Sequence, residues 1–567
     1  MTKKTLIIGL LGLFGMVSCG KDEINSVTPG GDDGGGDVTD TVIVDDEDYD
    51  RTVIVEFSTS GDATVTGTGD GVTATVSGND VTVTNTTDYK VMYRLSGSTT
   101  DGFLKIYSGK KQGITLNSVS IKNTRGAAIN VQGLVETPNK GKRVDLVLNG
   151  SSTLSDGTTY SLTPDTEDEK AAVFSEGQIV VSGSGELTVT ATGKAGMTSD
   201  DWVQIAAGTL NVSSSAGHGV RGKDYILVSG GTISIQVSAD GKKGFSSDSL
   251  VRFEGGNTTM AITGNTTVTT EDGAKDTSGT AGVKADQMFE MNGGTLTITN
   301  SGKGGKGISC DGPAYFRDGT INITVTGQNF GSSGGGWPGG GGPGGGSDNS
   351  VGAKGIKCDG NIEISGGVIT VKASSHEGIE TKGTLTISGG EVYSQSSDDA
   401  INSASDMTIT GGTVCAYSTG NDGLDANGNC YIQGGVIYAI GKNSPEVAID
   451  ANTEGGKKLY IQGGTIIAIG SLENGAQLTQ SCYQSSSWTK NVWYSITVGD
   501  KTHAFKTPSS GGTKLVVSGA ERPTVKKSIT VSGGTEMCNG MLVEDPEISG
   551  GSDVSLSNYS GGGGWGK

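Results

Sequence analysis

The sequence is poor in the residues that build many catalytic and metal sites. It contains only three histidines, and these show no readable Ser-His-Asp arrangement. The six cysteines that follow Cys19 lack the CxxC spacing of thiolate metal sites, so we expect them to pack as small apolar residues. After the first apolar run, no stretch is long and apolar enough to span a bilayer.

Other absences narrow the fold class. The 99 glycines have no three-residue period, which excludes collagen, and helical periodicity is nearly absent. The chain has 61 acidic and 41 basic residues. Its net charge of −20 disfavours nucleic acid or an anionic membrane surface as a partner. Thr, Ser, Val and Ile are abundant, which indicates an all-β protein. The excess of acidic residues favours the binding of cations.

The N-terminal residues are typical of an exported lipoprotein. A positive Met1–Lys4 precedes an apolar run at Leu6–Val17, and the run ends in a stretch that resembles a lipobox before Cys19. We expect cleavage before Cys19 and lipidation of this cysteine. Gly20–Glu23 resembles an acidic tag for the cell surface, so we predict a surface-exposed outer membrane lipoprotein, with a periplasm-facing one as the alternative.

An internal repeat governs the rest of the chain. Gly-Gly pairs that begin at positions 366, 389, 411, 434 and 463 open alternating apolar strands, at steps of 23, 22, 23 and 29 residues. Each repeat holds three short β segments, of which we call the first the kernel. Because such segments would stack if each repeat were one coil, we predict a right-handed, single-stranded parallel β-helix with about 22–25 residues per coil and β caps at both ends.

The predicted domains follow from this repeat. They are a signal peptide at 1–18, a flexible tether at 19–50, an N-terminal β cap or first coils at 51–90, the β-helix at 91–482 with a Gly-rich insertion at 331–350, a C-terminal β cap at 483–545 and a disordered tail at 546–567.

Aligning the kernels separates inward from outward positions, since strand side chains alternate. One inward column is entirely apolar: Val220, Phe245, Val283, Ile308, Ile356, Ile379, Ile401, Leu424 and Ile449. A second inward column of small residues makes Cys310 and Cys358 stacked neighbours, either as a disulfide or as two thiols. The outward positions are basic or hydroxylated in early repeats and acidic in late ones.

The acidic positions predict calcium sites. Stacked strands lie ~4.8 Å apart, so adjacent carboxylates would repel one another unless a cation lay between them. Oxygen donors without a His or Cys cluster favour Ca²⁺ over zinc or copper. The alternative is that these are solvated turn residues. The predicted ligands are Glu377, Glu380, Asp398, Asp399, Asn402, Asp422, Asp425 and Asp450.

The basic positions predict contacts with acidic sugars. Lysine and arginine pair with carboxylates such as those of uronic acids; the alternative is that they pair with aspartates of this chain. Outward tyrosines after the Gly-Gly pairs would stack on sugar rings. The predicted carbohydrate-binding residues are Arg221, Lys284, Lys306, Lys354, Lys357, Tyr393 and Tyr438.

These features together resemble a known family. The kernels KGIKCDGNIEISGGVITV and NDGLDANGNCYIQGG, the passage YRLSGSTTDGFLKI and the Gly/Trp/Pro insertion are similar to the carbohydrate-binding β-helix family of secreted proteins, over about Tyr93 to Gly540. The resemblance implies a fold related to pectate lyases, bound calcium, and binding of cellulose and acidic pectic polysaccharides. It implies calcium only at acidic kernels, since Lys306, Lys354 and His218 replace the acid in earlier ones.

We therefore predict a monomeric surface protein that captures plant-type or uronate-containing polysaccharide, with Ca²⁺ as cofactor and the membrane contacted only through the lipid. One alternative is a calcium-dependent polysaccharide lyase with Lys357 as the base for β-elimination. A second alternative is a non-catalytic adhesin or structural rod. We expect binding rather than catalysis.

Overall fold

A computed structural model of the protein describes residues 48–134, 143–161, 163–164, 167–271, 274–331 and 351–561. The predicted signal peptide, Cys19, most of the tether, nearly all of the Gly-rich insertion and the last six residues lie outside these ranges. The described residues contain no α-helix, and therefore none that could cross a membrane. The protein is all-β, with long sheets of parallel strands.

Each repeat contributes three strands in a fixed order, and strands of the same position pair with one another in the next repeat. The first position forms a fourteen-stranded sheet, which we call the kernel stack. Its strands are Val72–Ser77, Asp80–Asn85, Phe103–Ser108, Ile129–Gln132, Ala171–Ser175, Ala195–Ser199, Val220–Gly222, Lys243–Ser247, Ala281–Ala285, Lys306–Cys310, Lys354–Cys358, Ile379–Thr381, Ile401–Ser403 and Leu424–Ala426.

The second and third positions form the middle stack and the GG stack, which are joined into one sheet. The middle stack comprises Arg51–Phe57, Val91–Thr99, Gln112–Asn117, Val144–Asn149, Ile179–Gly183, Trp202–Ile205, Tyr225–Val228, Leu250–Phe253, Met288–Met291, Ala314–Phe316, Ile362–Ile364, Leu385–Ile387, Met407–Ile409, Cys430–Ile432, Leu459–Ile461 and Gln477–Leu478. The GG stack comprises Ser120–Lys122, Ser151–Ser155, Glu186–Ala191, Thr209–Ser214, Thr232–Val237, Asn257–Ile262, Thr295–Asn300, Thr320–Val325, Val368–Ala373, Glu391–Ser396, Thr413–Ser418, Val436–Ile440 and Thr465–Ile469.

The three stacks share one apolar core. The predicted inward column is fully buried, and its members pair in register from one repeat to the next, as Ile379 does with Ile401 and Ile401 with Leu424. Cys310 and Cys358 are also register partners, and both are buried free thiols. Period-two alternation thus places the core correctly.

The Gly-Gly pairs form the turn between the middle and GG stacks. The second glycine adopts a left-handed conformation, with φ of 79° at Gly412. A Cβ atom there would lie 2.7 Å from the carbonyl oxygen of Gly390 in the previous repeat. A side chain is therefore excluded twice, by backbone conformation and by the stacking distance.

Both ends contain antiparallel strands. At the N-terminal end, Thr64–Thr66 pairs with Arg51–Phe57, and the first two kernel strands form a hairpin. A further hairpin joins Thr267–Glu271 to Ala274–Ser278. At the C-terminal end, Cys482–Ser485, Leu515–Ser518 and Ser557–Tyr559 extend the GG stack in the antiparallel sense.

A separate six-stranded antiparallel sheet follows the last repeat. We call it the C-terminal sheet; its strands are Trp493–Val498, Lys501–Lys506, Thr524–Ser532, Thr535–Met537, Leu542–Glu544 and Glu547–Asp553. It packs against outward side chains of the GG stack through Tyr494 and Phe505.

The prediction of a disordered tail at 546–567 is wrong for residues 547–561, and residues 562–567 lie outside the described ranges. Glu547–Asp553 pairs with Thr524–Ser532, and Tyr559 is buried and donates a hydrogen bond to the carbonyl oxygen of Leu472 at 3.1 Å. The glycine-rich composition suggested disorder, but edge strands of both sheets supply backbone partners for this segment.

Candidate functional site

The outward face of the kernel stack carries two rows of polar side chains in register. The front row places Lys243, Ala281, Lys306 and Lys354 side by side. The second row runs Arg221, Ser246, Lys284, Ser309, Lys357, Glu380, Asn402 and Asp425. The face is therefore basic over the early repeats and acidic over the late ones.

All three predicted sugar-binding cations of the second row are already paired. Arg221 bonds Asp248 at 2.8 Å, and Lys357 bonds Asp359 at 2.5 Å. Lys284 lies 2.9 Å from Asp286 and 2.5 Å from Asp311. These three cations are therefore balanced by aspartates of the chain, which was the alternative to sugar binding. Because Lys357 is ion-paired, it is also a weaker candidate for a catalytic base.

Two front-row lysines differ. Lys306 and Lys243 pair with no carboxylate among the described residues; Lys306 has only the carbonyl oxygen of Gly304, at 3.5 Å. Burial, together with neighbouring lysines, lowers the pKa of each to about 8. Both line a cavity of about 340 Å³, which Lys284 and Lys357 also face. The sequence-based set missed Lys243, although it occupies the same row position as Lys306.

At the junction of the two halves, Lys354 lies between two acids. Its Nζ is 2.5 Å from Glu380 and 3.2 Å from Glu377, and Lys382 also bonds Glu380. Glu380 is 2% exposed and held by two ammonium groups, so it acts as a buried ion-pair partner rather than as a member of an acidic cluster. Lys354 is likewise engaged here and not offered to a sugar. Stacking a lysine one repeat before two glutamates brings these charges together.

The first acidic cluster comprises His376, Glu377 and Asp398, whose potential ligand atoms lie within 4.8 Å of one another. Burial opposes ionisation of Glu377, but His376 and Lys354 outweigh it and lower the pKa of this carboxyl to about 2. His376 Nδ1 also lies 3.3 Å from Asp398. These charges already compensate one another, which makes this cluster the weaker candidate for a cation.

The second acidic cluster, Asp422, Asp425 and Asp450, is of a different kind. Its carboxylate oxygens also lie within 4.8 Å of one another, with no lysine or arginine paired to them among the described residues. Asp425 is within hydrogen-bonding reach of Asp399 and Asp450, and Asp450 of Glu473. Ionised carboxylates this close repel one another, and a proton or a cation between them would relieve the repulsion.

Electrostatics favour protonation in this second cluster and at the neighbouring Asp399. Burial is the main cause that raises the pKa values, to about 8 for Asp422, 9 for Asp399 and 10 for Asp450, and neighbouring carboxylates add to it. The Asn402 amide donates to Asp425 at 2.5 Å, so this residue orients a carboxylate. Glu473 was missed from sequence because it follows the last Gly-Gly strand, where no kernel remains to align it.

The predicted aromatic platform is covered. Tyr438 is 1% exposed and donates to the carbonyl oxygen of Lys506 at 2.9 Å, and Tyr393 is 3% exposed. Both point outward from the GG stack, as predicted, but the C-terminal sheet packs onto them. They therefore cannot stack on sugar rings in this structure.

Comparisons with known proteins bear on the function. The curated proteins contain no significant match. A solved structure described as that of the polysaccharide lyase-like protein from C. thermocellum, gadolinium derivative, has 20% identity and a TM-score of 0.37, covering 48% of this chain and 97% of that one. The family model for carbohydrate-binding domain-containing proteins matches residues 77–423 and 349–490, which is well over half of the chain. The protein belongs to this family of carbohydrate-binding domain-containing proteins.

Proposed function

We propose that this protein captures acidic polysaccharides on the outward face of the kernel stack, with Ca²⁺ held by the second acidic cluster. Membership of a carbohydrate-binding family supports a polysaccharide partner. The observation that carries the proposal is the change of charge along one registered face. Among the described residues, it runs from lysines without a carboxylate partner to carboxylates without a lysine or arginine partner. An acidic chain laid along this face would meet ammonium groups directly and carboxylates through a cation.

The proposed scaffold is a right-handed, single-stranded parallel β-helix. The fixed order of kernel, middle and GG strands around one core supports a helical course of the chain. The right hand rests on the strong preference of parallel crossover connections. With lipidation at Cys19, this body would be displayed on the outer membrane as a monomer.

Calcium fits the donors that the second cluster offers. Asp422, Asp425 and Asp450 would hold the ion, and Asp399 and Glu473 lie next to them. Hard oxygen donors and several carboxylate charges suit Ca²⁺. When bound, the ion would neutralise the cluster and supply a positive centre for sugar carboxylates.

Calorimetry tests the proposed calcium site. Chelated protein titrated with Ca²⁺ should bind it, and Asp425→Asn should bind it at least about tenfold more weakly, since the variant loses one charged ligand. Asp500→Asn, at an exposed turn of the C-terminal sheet, is the matched control. Absence of a binding signal in the wild type would refute the calcium site.

Binding isotherms test the function. The soluble chain that begins after Cys19 would be measured on polygalacturonate and on cellulose, with Ca²⁺ or with chelator. Calcium-dependent binding to polygalacturonate supports the proposal. Failure to bind either polymer under both conditions would contradict it and favour the adhesin or rod.

A lyase is the second candidate, and the lowered pKa values of Lys243 and Lys306 favour it. A lysine that titrates near pH 8 has enough neutral amine to accept a proton from a sugar carbon. These residues are better placed for the role than the ion-paired Lys357. Ultraviolet absorbance of an unsaturated product, recorded during the same isotherms, separates catalysis from binding.

A further inference from the structure

The cavity beside the front row contains positive charge that no carboxylate among the described residues fully balances. Its volume is about 340 Å³, and its walls include Lys243, Lys284, Lys306 and Lys357 together with Ser278. A cavity of this size lies at the lower end of the range of small-ligand sites, so it suits a single group rather than a polymer segment. It lies against the kernel strands, whose backbone is fixed by pairing on both sides.

Charge within the cavity is unevenly compensated. Lys284 and Lys357 bond aspartates, and the one acid among the described residues that line the cavity, Asp311, is a partner of Lys284. Lys243 donates to the carbonyl oxygen of Gly241 at 2.9 Å and to Ser278 Oγ at 3.2 Å, and neither acceptor carries a charge. Two largely buried ammonium groups without a carboxylate among the described residues are expensive to hold, unless an anion joins them.

We propose that Lys243 and Lys306 form an oxyanion site in this cavity, which binds one compact carboxylate, sulfate or phosphate group. Each ammonium can donate a charge-assisted hydrogen bond to the anion. Ser278 supplies no donor, because its hydroxyl already donates to the carbonyl oxygen of Gly241 at 2.9 Å. The anion is either free in solution or a substituent of a glycan; the second source rests on the proposed function, and the first does not.

The surrounding charges favour ligand-linked protonation. Lys243 faces Lys242, Lys284, Asp286, Arg221 and His218, and Lys306 faces Lys357, Lys354, Glu380 and Lys243. Most of these groups are cationic and, with burial, they hold the pKa of both lysines near 8. A bound anion would stabilise the ammonium forms, so near pH 8 the protein should take up protons when the site fills.

Titration calorimetry on the full chain tests the site, with inorganic sulfate, galacturonate and neutral galactose as probes at constant ionic strength. We expect sulfate to bind the wild type, and Lys306→Met and Lys243→Met to bind it about tenfold or more weakly, as expected for loss of a charge-assisted hydrogen bond. Lys303→Met, which replaces an exposed lysine in the turn before Lys306, is the matched control and should bind as the wild type does.

Proton uptake provides a readout that needs no variant. Near pH 8 the binding heat of sulfate should depend on the ionisation enthalpy of the buffer, and the dependence should vanish near pH 6. The proposal is overturned if sulfate fails to bind the wild type, if the lysine variants bind like Lys303→Met, or if no protons are taken up.

The probes also identify the source of the anion. Binding of galacturonate but not galactose, lost in the same variants, indicates a glycan substituent, whereas binding of sulfate alone indicates a free or sulfate-type anion. If sulfate binds while no polysaccharide does, the oxyanion site stands and the proposed function fails.

Discussion

Replacing Asp422 by asparagine should stabilise the metal-free protein at neutral pH and weaken its response to Ca²⁺. Burial and nearby acids, Asp425 first among them, raise the pKa of Asp422 to about 8, although the Val447 N–H donates to its Oδ1 at 2.5 Å. Asparagine keeps an oxygen for that N–H. The substitution therefore removes a titrating charge and preserves the hydrogen bond.

The magnitude follows from linkage. A carboxyl group with a pKa of 3.8 in the unfolded chain and about 8 in the folded one stabilises the protein fully below pH 3.8. This stabilisation is lost as the pH rises toward 8, at about 1.4 kcal/mol per pH unit, which makes about 4 kcal/mol by pH 7. Asp399 and Asp450, whose pKa values are also raised, act in the same direction.

Urea unfolding in chelator, between about pH 5 and 7.5, measures this effect below the range in which Lys243 and Lys306 titrate. The free energy of unfolding of the wild type should fall as the pH rises. Asp422→Asn should fall less steeply, by about 1.4 kcal/mol per pH unit, and gain less from added Ca²⁺. Asp500→Asn should follow the wild type.

Two results would refute this reasoning. One is a chelated wild type whose stability is constant or increases over the range. The other is an Asp422→Asn variant with the same slope as the wild type, which would mean that the buried carboxyl group is not protonated in the absence of metal.

Three further predictions concern the scaffold, each checked by the free energy of unfolding. Lys354→Met should lower the free energy of unfolding by about 3 kcal/mol, because it leaves buried carboxylates without their ammonium partner. Lys357→Met, from a more exposed pair, should change the free energy of unfolding by about 0–1 kcal/mol. Equal effects would contradict the buried ion pairs of Lys354. Gly412→Ala should destabilise by about 2 kcal/mol more than Gly456→Ala, which has a similar φ but open space around its Cβ; similar losses would remove the stacking argument. Tyr438→Phe should lose about 1–2 kcal/mol and leave polysaccharide affinity unchanged, and a drop in affinity would show that this ring is accessible after all.

The repeat itself was predictable from the sequence because its signals are local. Alternation within each kernel identifies inward residues such as Ile379 and Leu424, and the Gly-Gly spacing gives the register that pairs them through Ile401. The order of charges along the kernel face follows from the same alignment. Because the strands pair in strict register, aligning the repeats in the sequence predicts which side chains are neighbours in the structure.

Other features depend on contacts that no repeat encodes. Alternation places Tyr393 and Tyr438 on the outside of the GG stack, but it does not tell whether water, sugar or another sheet covers that side. The C-terminal sheet does so, and its residues lie beyond the last repeat. Glu473 was not predicted for the same reason, because it reaches the second acidic cluster from a segment without a kernel.

On the kernel face, the register of the stacked repeats places side chains of like charge next to one another. Over most of its length the chain compensates them itself, with aspartates beside Lys284 and Lys357 and with the buried pairs of Lys354. Among the described residues, this compensation is lacking at two places, the lysine cavity around Lys306 and the cluster around Asp422. They lie four repeats apart, about 19 Å at the strand spacing. A single ligand that satisfied both would have to bring an anionic group to one and share a cation with the other over that span, as the polyanion of the proposed function would do with calcium.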